Sequence, residues 1–339
     1  MIRLKDIAAR AGVSVMTVSK VLRDAPDISD QTKAKVRLLA KEMGYVPDTV
    51  AQGLRTRCTR LFGLVISAMT NPIFARVVMA IEERSVELGY EVILSHSLND
   101  PEREEMVIRR LISRRVDGLF IAPVYRVEPV APIYDELRRL ELPTVLLAQQ
   151  APFCQAFPNV EVEDEAASAA LTRHLLGLGH RRIGFFAGSP KSPSAVQRLA
   201  GYQRSLRNAG VAADDRLVYS AGSTIKEGEN AARLLLQDRT SVTAVQAVSD
   251  LVAIGAGSVL LSNGYPIPAA VSLTGFGNLL TSEYFRVPLT TVRQPKYRLG
   301  LAAMEMMLEL LCGREPETRT LAAEILVRDS TGPVDGGSQ

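Results

Sequence analysis

From residue 61 onward, short apolar runs alternate with stretches of helical length, and this rhythm leaves few folds open. LFGLVIS (61–67), EVILSHS (91–97), DGLFIAP (117–123) and PTVLLAQ (143–149) each read as a buried strand. Helical segments at 72–89, 102–115 and 133–140 separate them. A second set follows: helix 164–178, RIGFFAG (182–188), helix 195–209, RLVYSAG (216–222), helix 225–237, AVQAVS (244–249), helix 250–263 and VSLTGFG (271–277). Nearly continuous apolar strands joined by helices imply parallel sheets covered on both faces. Both sets contain a helix ending in Leu-Gly, then an aromatic ring and a strand (ELGYEVIL and GLGHRRIGFF), which suggests two lobes of one architecture. LTTVRQP, a helix at 297–312 and AEILVR resume the pattern, and TGPVDGGSQ (331–339) has the composition of a disordered tail.

The first 48 residues follow a different rule. Leu4, Ile7, Ala8 and Ala11 have the spacing of one helix face, and Gly12 marks a turn. TVSKVL is a second short helix. Ser29 reads as the N-cap of a third, in which Val36, Leu39, Ala40 and Met43 share a face and Gly44 closes the helix. On a wheel of about 100° per residue, Val18, Val21 and Leu22 form the core face of the second helix. Met16 and Lys20 lie almost opposite, with Ser19 beside them and Val15 at the edge. Such a face suits a major groove, where lysine meets phosphate or guanine and apolar groups meet thymine methyls. Core packing is the competing reading of Val15, and a poor one for Met16.

Charge supports the division. Residues 1–60 carry 12 basic and six acidic side chains, a net +6, so with +3 overall the remainder carries −3. A basic front on a slightly acidic body points to a polyanion partner. No apolar run is long enough for a membrane span, and no signal-peptide pattern opens the chain, so a cytoplasmic location is expected. Cys58, Cys154 and Cys312 form no paired motif, and with three histidines they make no zinc pattern; neither a metal nor a cofactor is called for. The motifs of α/β enzymes are missing: no GxxxxGK[ST], no GxGxxG after the first strand, no GxSxG elbow. A ligand-binding protein or an enzyme without a DNA role remains the alternative.

The same residues resemble a known family, the lactose/galactose repressors (LacI/GalR). The resemblance rests on Asp6-Ile7-Ala8, Ala11-Gly12-Val13-Ser14, Thr17-Val18-Ser19, Val21-Leu22, Ser29 to Thr32, Gly44-Tyr45-x-Pro47 and Ala51 to Leu54. It continues through NPIF (71–74), VDG (116–118), RLAGY (198–202), GF (275–276) and LTTVRQP (289–295). It implies an α/β core of two Rossmann-like lobes, like a periplasmic binding protein, behind an all-α helix-turn-helix headpiece. The expected divisions are a headpiece at 1–48, a hinge helix at 49–57, a first lobe at 58–160 plus 291–320, and a second lobe at 161–290 plus 321–330. The resemblance also implies that a dimeric, non-enzymatic regulator binds double-stranded operator DNA and a small effector.

Carried over by position, Val15, Met16 and Lys20 would read base edges. Ser14, Thr17, Ser19, Ser29, Thr32 and Tyr45 would meet phosphate or brace the headpiece. Ala51, Gln52, Leu54 and Arg55 would belong to the hinge, with Leu54 as a wedge in the minor groove. The effector would lie between the lobes at Ser67, Ile73, Phe74, Ala148, Ser192, Ser194, Arg198, Ser223, Ser249, Asp250 and Gly277, with Asn278 as a further donor. Family carboxylates are replaced at Ala148 and Gly277, so an anionic sugar derivative is expected to suit Arg198 better than a neutral sugar. Helix 72–89 and the segment at Val116–Gly118 would form the dimer surface. The tail carries no leucine heptads, so a tetramer is not expected.

Overall fold

The computed structural model describes residues 2–45 and 58–334, in two units that divide near Thr59. The amino-terminal unit holds α1 (Leu4–Ala11), α2 (Val15–Leu22) and α3 (Asp30–Glu42). Gly12 takes the left-handed turn between the first two helices at φ +69°. Ser14 and Ser29 cap α2 and α3 by accepting the N–H groups of Thr17 and Thr32. Ile7, Ala8, Ala11, Val18, Val21, Val36 and Ala40 make one small core.

The second unit contains two parallel sheets of the same design. In the first lobe, β1 (Leu61–Ile66), β2 (Glu91–His96), β3 (Gly118–Ile121) and β4 (Thr144–Leu146) are ordered β2-β1-β3-β4. Helices α4 (Ile73–Glu87), α5 (Pro101–Ser113) and α6 (Pro132–Arg139) connect them. After β5 (Val160–Val162) and α7 (Asp164–Gly177) comes the second lobe. Its strands β6 (Ile183–Ala187), β7 (Val218–Ser220), β8 (Ala244–Ala247) and β9 (Ser272–Thr274) are ordered β7-β6-β8-β9. Helices α8 (Pro193–Asn208), α9 (Ile225–Gln237) and α10 (Asp250–Ser262) cross between them. The two sheets share one strand order, but the echo between ELGYEVIL and GLGHRRIGFF falls at different places in it: the first leads into edge strand β2, the counterpart of β7, and the second into β6, the counterpart of β1. In the second lobe, α9 and α10 touch backbone to backbone: a Cβ on Gly255 would lie 2.0 Å from the Ile225 carbonyl oxygen.

The chain crosses between lobes more than once. A short helix α11 (Leu280–Glu283) precedes β10 (Thr291–Arg293), and then α12 (Lys296–Leu311) returns to the first lobe and packs on α4. Leu299, Met304, Met306 and Met307 of α12 join Phe62, Leu64, Phe120 and Val145 in that lobe's core. Two final strands, β11 (Arg319–Leu321) and β12 (Glu324–Leu326), pair with β5 in parallel and with β10 in antiparallel.

One expectation is corrected here. Residues 331–334 are not a loose tail: Val334 N–H donates to the Leu178 carbonyl (3.0 Å), Gly332 N–H donates to Ser272 Oγ (3.1 Å), and Thr331 Oγ1 meets His174 Nε2 (3.0 Å). In the segment expected at the dimer surface, Val116 and Gly118 are buried in their own lobe, whereas Asp117 is half-buried and Ser113, Arg114 and Arg115 are exposed. Strands β5 and β11 were not anticipated; each is three residues long, too short to leave an apolar signature.

Candidate functional site

The first candidate surface is the outer face of α2. Val18 and Val21 are fully buried, whereas Val15 is 46% and Met16 64% exposed. The wheel therefore separates core from outside correctly, and Val15 falls outside. Lys20, one turn on from Met16, is ion-paired to Asp27. Ser14 and Thr17 share a hydroxyl contact at 2.9 Å, as do Ser29 and Thr32, so all four act in caps. Ser19 receives Arg23: Nε donates to its carbonyl at 3.0 Å and Nη2 to its hydroxyl at 3.3 Å. Tyr45 packs on the headpiece core. Ala51, Gln52, Leu54 and Arg55 lie outside the described residues.

The second is a cavity of about 660 Å³ lined by both lobes of the core. It lies where parallel sheets place ligands, at the carboxyl ends of the strands beside the reversal of strand order. Ser67, Ile73, Phe74, Ala148, Ser192, Ser194, Arg198, Ser223, Ser249 and Gly277 all line it. Arg198 is no surface residue. Its Nε donates to Asp164 Oδ1 and its Nη1 to the Val248 carbonyl, both at 2.7 Å, and its guanidinium lies 3.7 Å from the Phe276 ring centroid. Ser192 and Ser194 hydroxyls touch at 3.0 Å, and Ser249 Oγ caps α10.

Asp250 is not in the wall. It is fully buried, where it accepts the Leu279 N–H at 2.8 Å and the hydroxyls of Ser282 and Thr291, each at 2.5 Å. Those bonds tie the start of α10 to the segments around α11 and β10, so the carboxylate holds the wall's backing. Asn278 is also absent from the lining; its side-chain oxygen accepts from Arg328 Nη2 at 2.9 Å.

Several lining residues carried no sequence signal. Gln149, after β4, donates from Nε2 to Asp164 Oδ2 at 2.5 Å, which links the first lobe to the Arg198–Asp164 pair. Lys296 Nζ, at the start of α12, donates to the Gly277 and Asn278 carbonyls at 2.6 and 2.8 Å. Burial pushes the Lys296 pKa down, and the nearby Asp250 partly opposes that. Gln294 lines the cavity with a buried Oε1 that has no hydrogen-bond partner. Arg126 lines it too, with its guanidinium paired to Glu104 beneath. Glu104 also accepts the Val124 N–H (2.7 Å) and the Tyr134 hydroxyl (3.0 Å), which fixes the loop after β3 that forms this wall. Among the described residues no His, Cys, Asp and Glu group is arranged to hold a metal ion, and no helix is long and apolar enough to cross a membrane.

A helical headpiece that exposes a mixed apolar and basic helix face, joined in one chain to a two-lobed core around a cavity, is the arrangement of a DNA-binding regulator with a ligand-binding type of core. Family models agree along nearly the whole chain. Residues 3–48 match the bacterial regulatory proteins of the lacI family, and residues 59–328 match the periplasmic binding proteins and sugar binding domain of the LacI family. The chain belongs to the LacI family of DNA-binding transcriptional repressors. It is 31% identical to the HTH-type transcriptional repressor PurR of Vibrio atlanticus over 319 residues, 94% of this chain and 95% of that protein. It is 32% identical to the regulator GalR of Escherichia coli K12 over 331 residues, 97% and 95% of the two chains. Among solved structures, the lac repressor dimer bound to operator and the anti-inducer ONPF superposes with a TM-score of 0.87 at 27% identity, covering 98% of this chain and 99% of that one. These relatives are regulators of transcription, not enzymes.

Proposed function

We propose that this chain binds a palindromic operator as a homodimer and that a small carbohydrate-type effector in the inter-lobe cavity changes its operator affinity. The observation that carries the DNA half is the exposure of Met16 and Val15 beside Lys20, on a helix whose other face is fully buried. Apolar groups at that face favour thymine methyls over hydrogen-bonded base edges. Ser14, Thr17, Ser19, Ser29, Thr32 and Tyr45 then brace the headpiece or meet phosphates, and Ala51, Gln52, Leu54 and Arg55 serve the hinge. One headpiece covers a half-site, so a palindrome needs two. Exposed Met79 and Val86 on α4 give the first lobe an apolar surface suited to a second copy. Selection of bound duplexes from a random pool tests the reading, with a palindromic consensus expected; a non-palindromic one would break the dimer model. Met16→Ala should weaken binding by about 1 kcal/mol, most strongly at one T·A position per half-site. A uniform loss across operator variants would count against the assignment.

The effector half rests on the hydroxyl-rich wall around Arg198. Asp164 already balances that arginine, so an anionic ligand would draw on Lys191 and Lys296, whereas the Arg198–Asp164 pair offers both donor and acceptor to adjacent hydroxyls. Arg198→Lys keeps a charge for Asp164 but loses the planar fork over Phe276 and the bond to the Val248 carbonyl, so effector affinity should fall about 10- to 100-fold and the melting temperature should fall with it. Titration calorimetry with neutral sugars and sugar acids measures this, and an unchanged affinity would remove Arg198 from the site. A coupling of about 1–3 kcal/mol between cavity and headpiece corresponds to a 5- to 150-fold change in operator affinity.

A further inference from the structure

The cation on the reading face of α2 already has a partner. Lys20 Nζ is bound by the carboxylate of Asp27, which comes from the loop between α2 and α3. That loop is braced at several points. Asp24, in the left-handed region at φ +57°, takes Lys33 at 3.2 Å and Arg37 at 2.7 Å; Ala25 N–H donates to the Lys20 carbonyl at 3.0 Å; and Ile28 packs on the headpiece core. Asp27 is therefore presented by a fixed loop beside the surface formed by Met16 and Lys20. The hydrogen bond from Lys20 holds the Asp27 carboxyl below its ordinary range, so it stays ionised wherever DNA binding is measured.

A carboxylate in this place acts against phosphate. On DNA of arbitrary sequence, Lys20 can gain only a backbone phosphate, because phosphates are the same everywhere. Whether it leaves Asp27 or shares its three donors between the carboxylate and the phosphate, the negative charge of Asp27 is then brought against the duplex. A cognate base edge in the groove supplies a directed acceptor that offsets this cost. We propose that Asp27 is a specificity-determining residue of the headpiece, which masks Lys20 from non-cognate DNA and yields it to the operator. The inference rests on the reading that this face of α2 meets DNA.

The test compares full-length wild type, Asp27→Asn, Lys20→Ala and the double variant. Each is titrated by fluorescence anisotropy against the selected operator duplex and a scrambled duplex of equal length, over a range of salt. Asp27→Asn should tighten binding to the scrambled duplex about 3- to 10-fold and steepen its salt dependence by about one unit of slope, while the operator gains less, so the specificity ratio falls. In the Lys20→Ala background the gain on scrambled DNA should vanish, which shows that Asp27 acts through Lys20. Unchanged circular dichroism and melting of Asp27→Asn identify these as effects of charge rather than of folding. A gain that persists without Lys20 would overturn the proposal in favour of general repulsion. So would weaker operator binding with scrambled binding unchanged, because Asp27 would then be a contact itself, and so would no change on either duplex. Should wild type bind neither duplex, the DNA reading of α2 fails and the role of Asp27 fails with it.

Discussion

Asp250→Ala should lower stability by about 4 kcal/mol, because alanine leaves the N–H of Leu279 and the hydroxyls of Ser282 and Thr291 without their buried acceptor. Charge-assisted hydrogen bonds of this kind contribute about 1.5–3 kcal/mol each, and three sharing one carboxylate do not add fully. Urea unfolding followed by circular dichroism should show a lower midpoint, with Asp250→Asn between the alanine variant and wild type. The resemblance had assigned this residue to the effector, so the measurement separates two roles. A wild-type midpoint combined with lost effector binding would return Asp250 to the cavity wall.

Above about pH 7, where the pair is ionised, Glu104→Ala is expected to cost about 3–5 kcal/mol, the usual result of removing one member of a buried ion pair. Arg126, with only 8% of its side chain exposed, would be left charged over Phe153 without its carboxylate. The same residue makes stability depend on pH. Burial raises the Glu104 pKa to about 7, against the opposing pull of the Val124 N–H and Arg126. The folded protein thus holds a proton that the unfolded chain releases at lower pH. The stability this gives is fully present below the ordinary carboxylate range and is lost as pH rises through about 7. Wild type should therefore weaken between about pH 5 and 7 relative to Glu104→Gln, by about 2–3 kcal/mol. Denaturant midpoints measured at half-unit steps read the difference, and parallel pH profiles would remove Glu104 as its source.

The contrast between these two carboxylates shows what the amino-acid sequence could and could not say. Alternating strands and helices were legible because each buries one face: α9 was expected at 225–237 and stands at Ile225–Gln237. The exposed face of α2 was legible for the same reason, since Val18 and Val21 fix which side is inside. Strands β5 and β11 were not, because VEV and RTL pair only with each other's distant segment and carry no local pattern. Glu104 sits in EREEM, which reads as the solvated first turn of a helix, yet it turns inward to a loop 20 residues away. Asp250 and Ser249 are neighbours in sequence, but one faces inward and the other lines the cavity, a choice made by how α10 meets the β9 end. Gln149 and Asp164 become partners only once the two lobes lie together.

Helix α12 has a consequence for the order in which the protein can be made. Its methionines complete the first lobe's core, yet they follow the whole second sheet in the chain. As synthesis proceeds from the amino terminus, the headpiece emerges early with a core of its own. The first lobe must wait, half built, for residues 296–311. Gln294, Lys296 and Leu299 arrive with that same late segment and close the cavity. A chain interrupted before it would carry a finished headpiece core beside a first lobe and a cavity still open on the side that α12 completes.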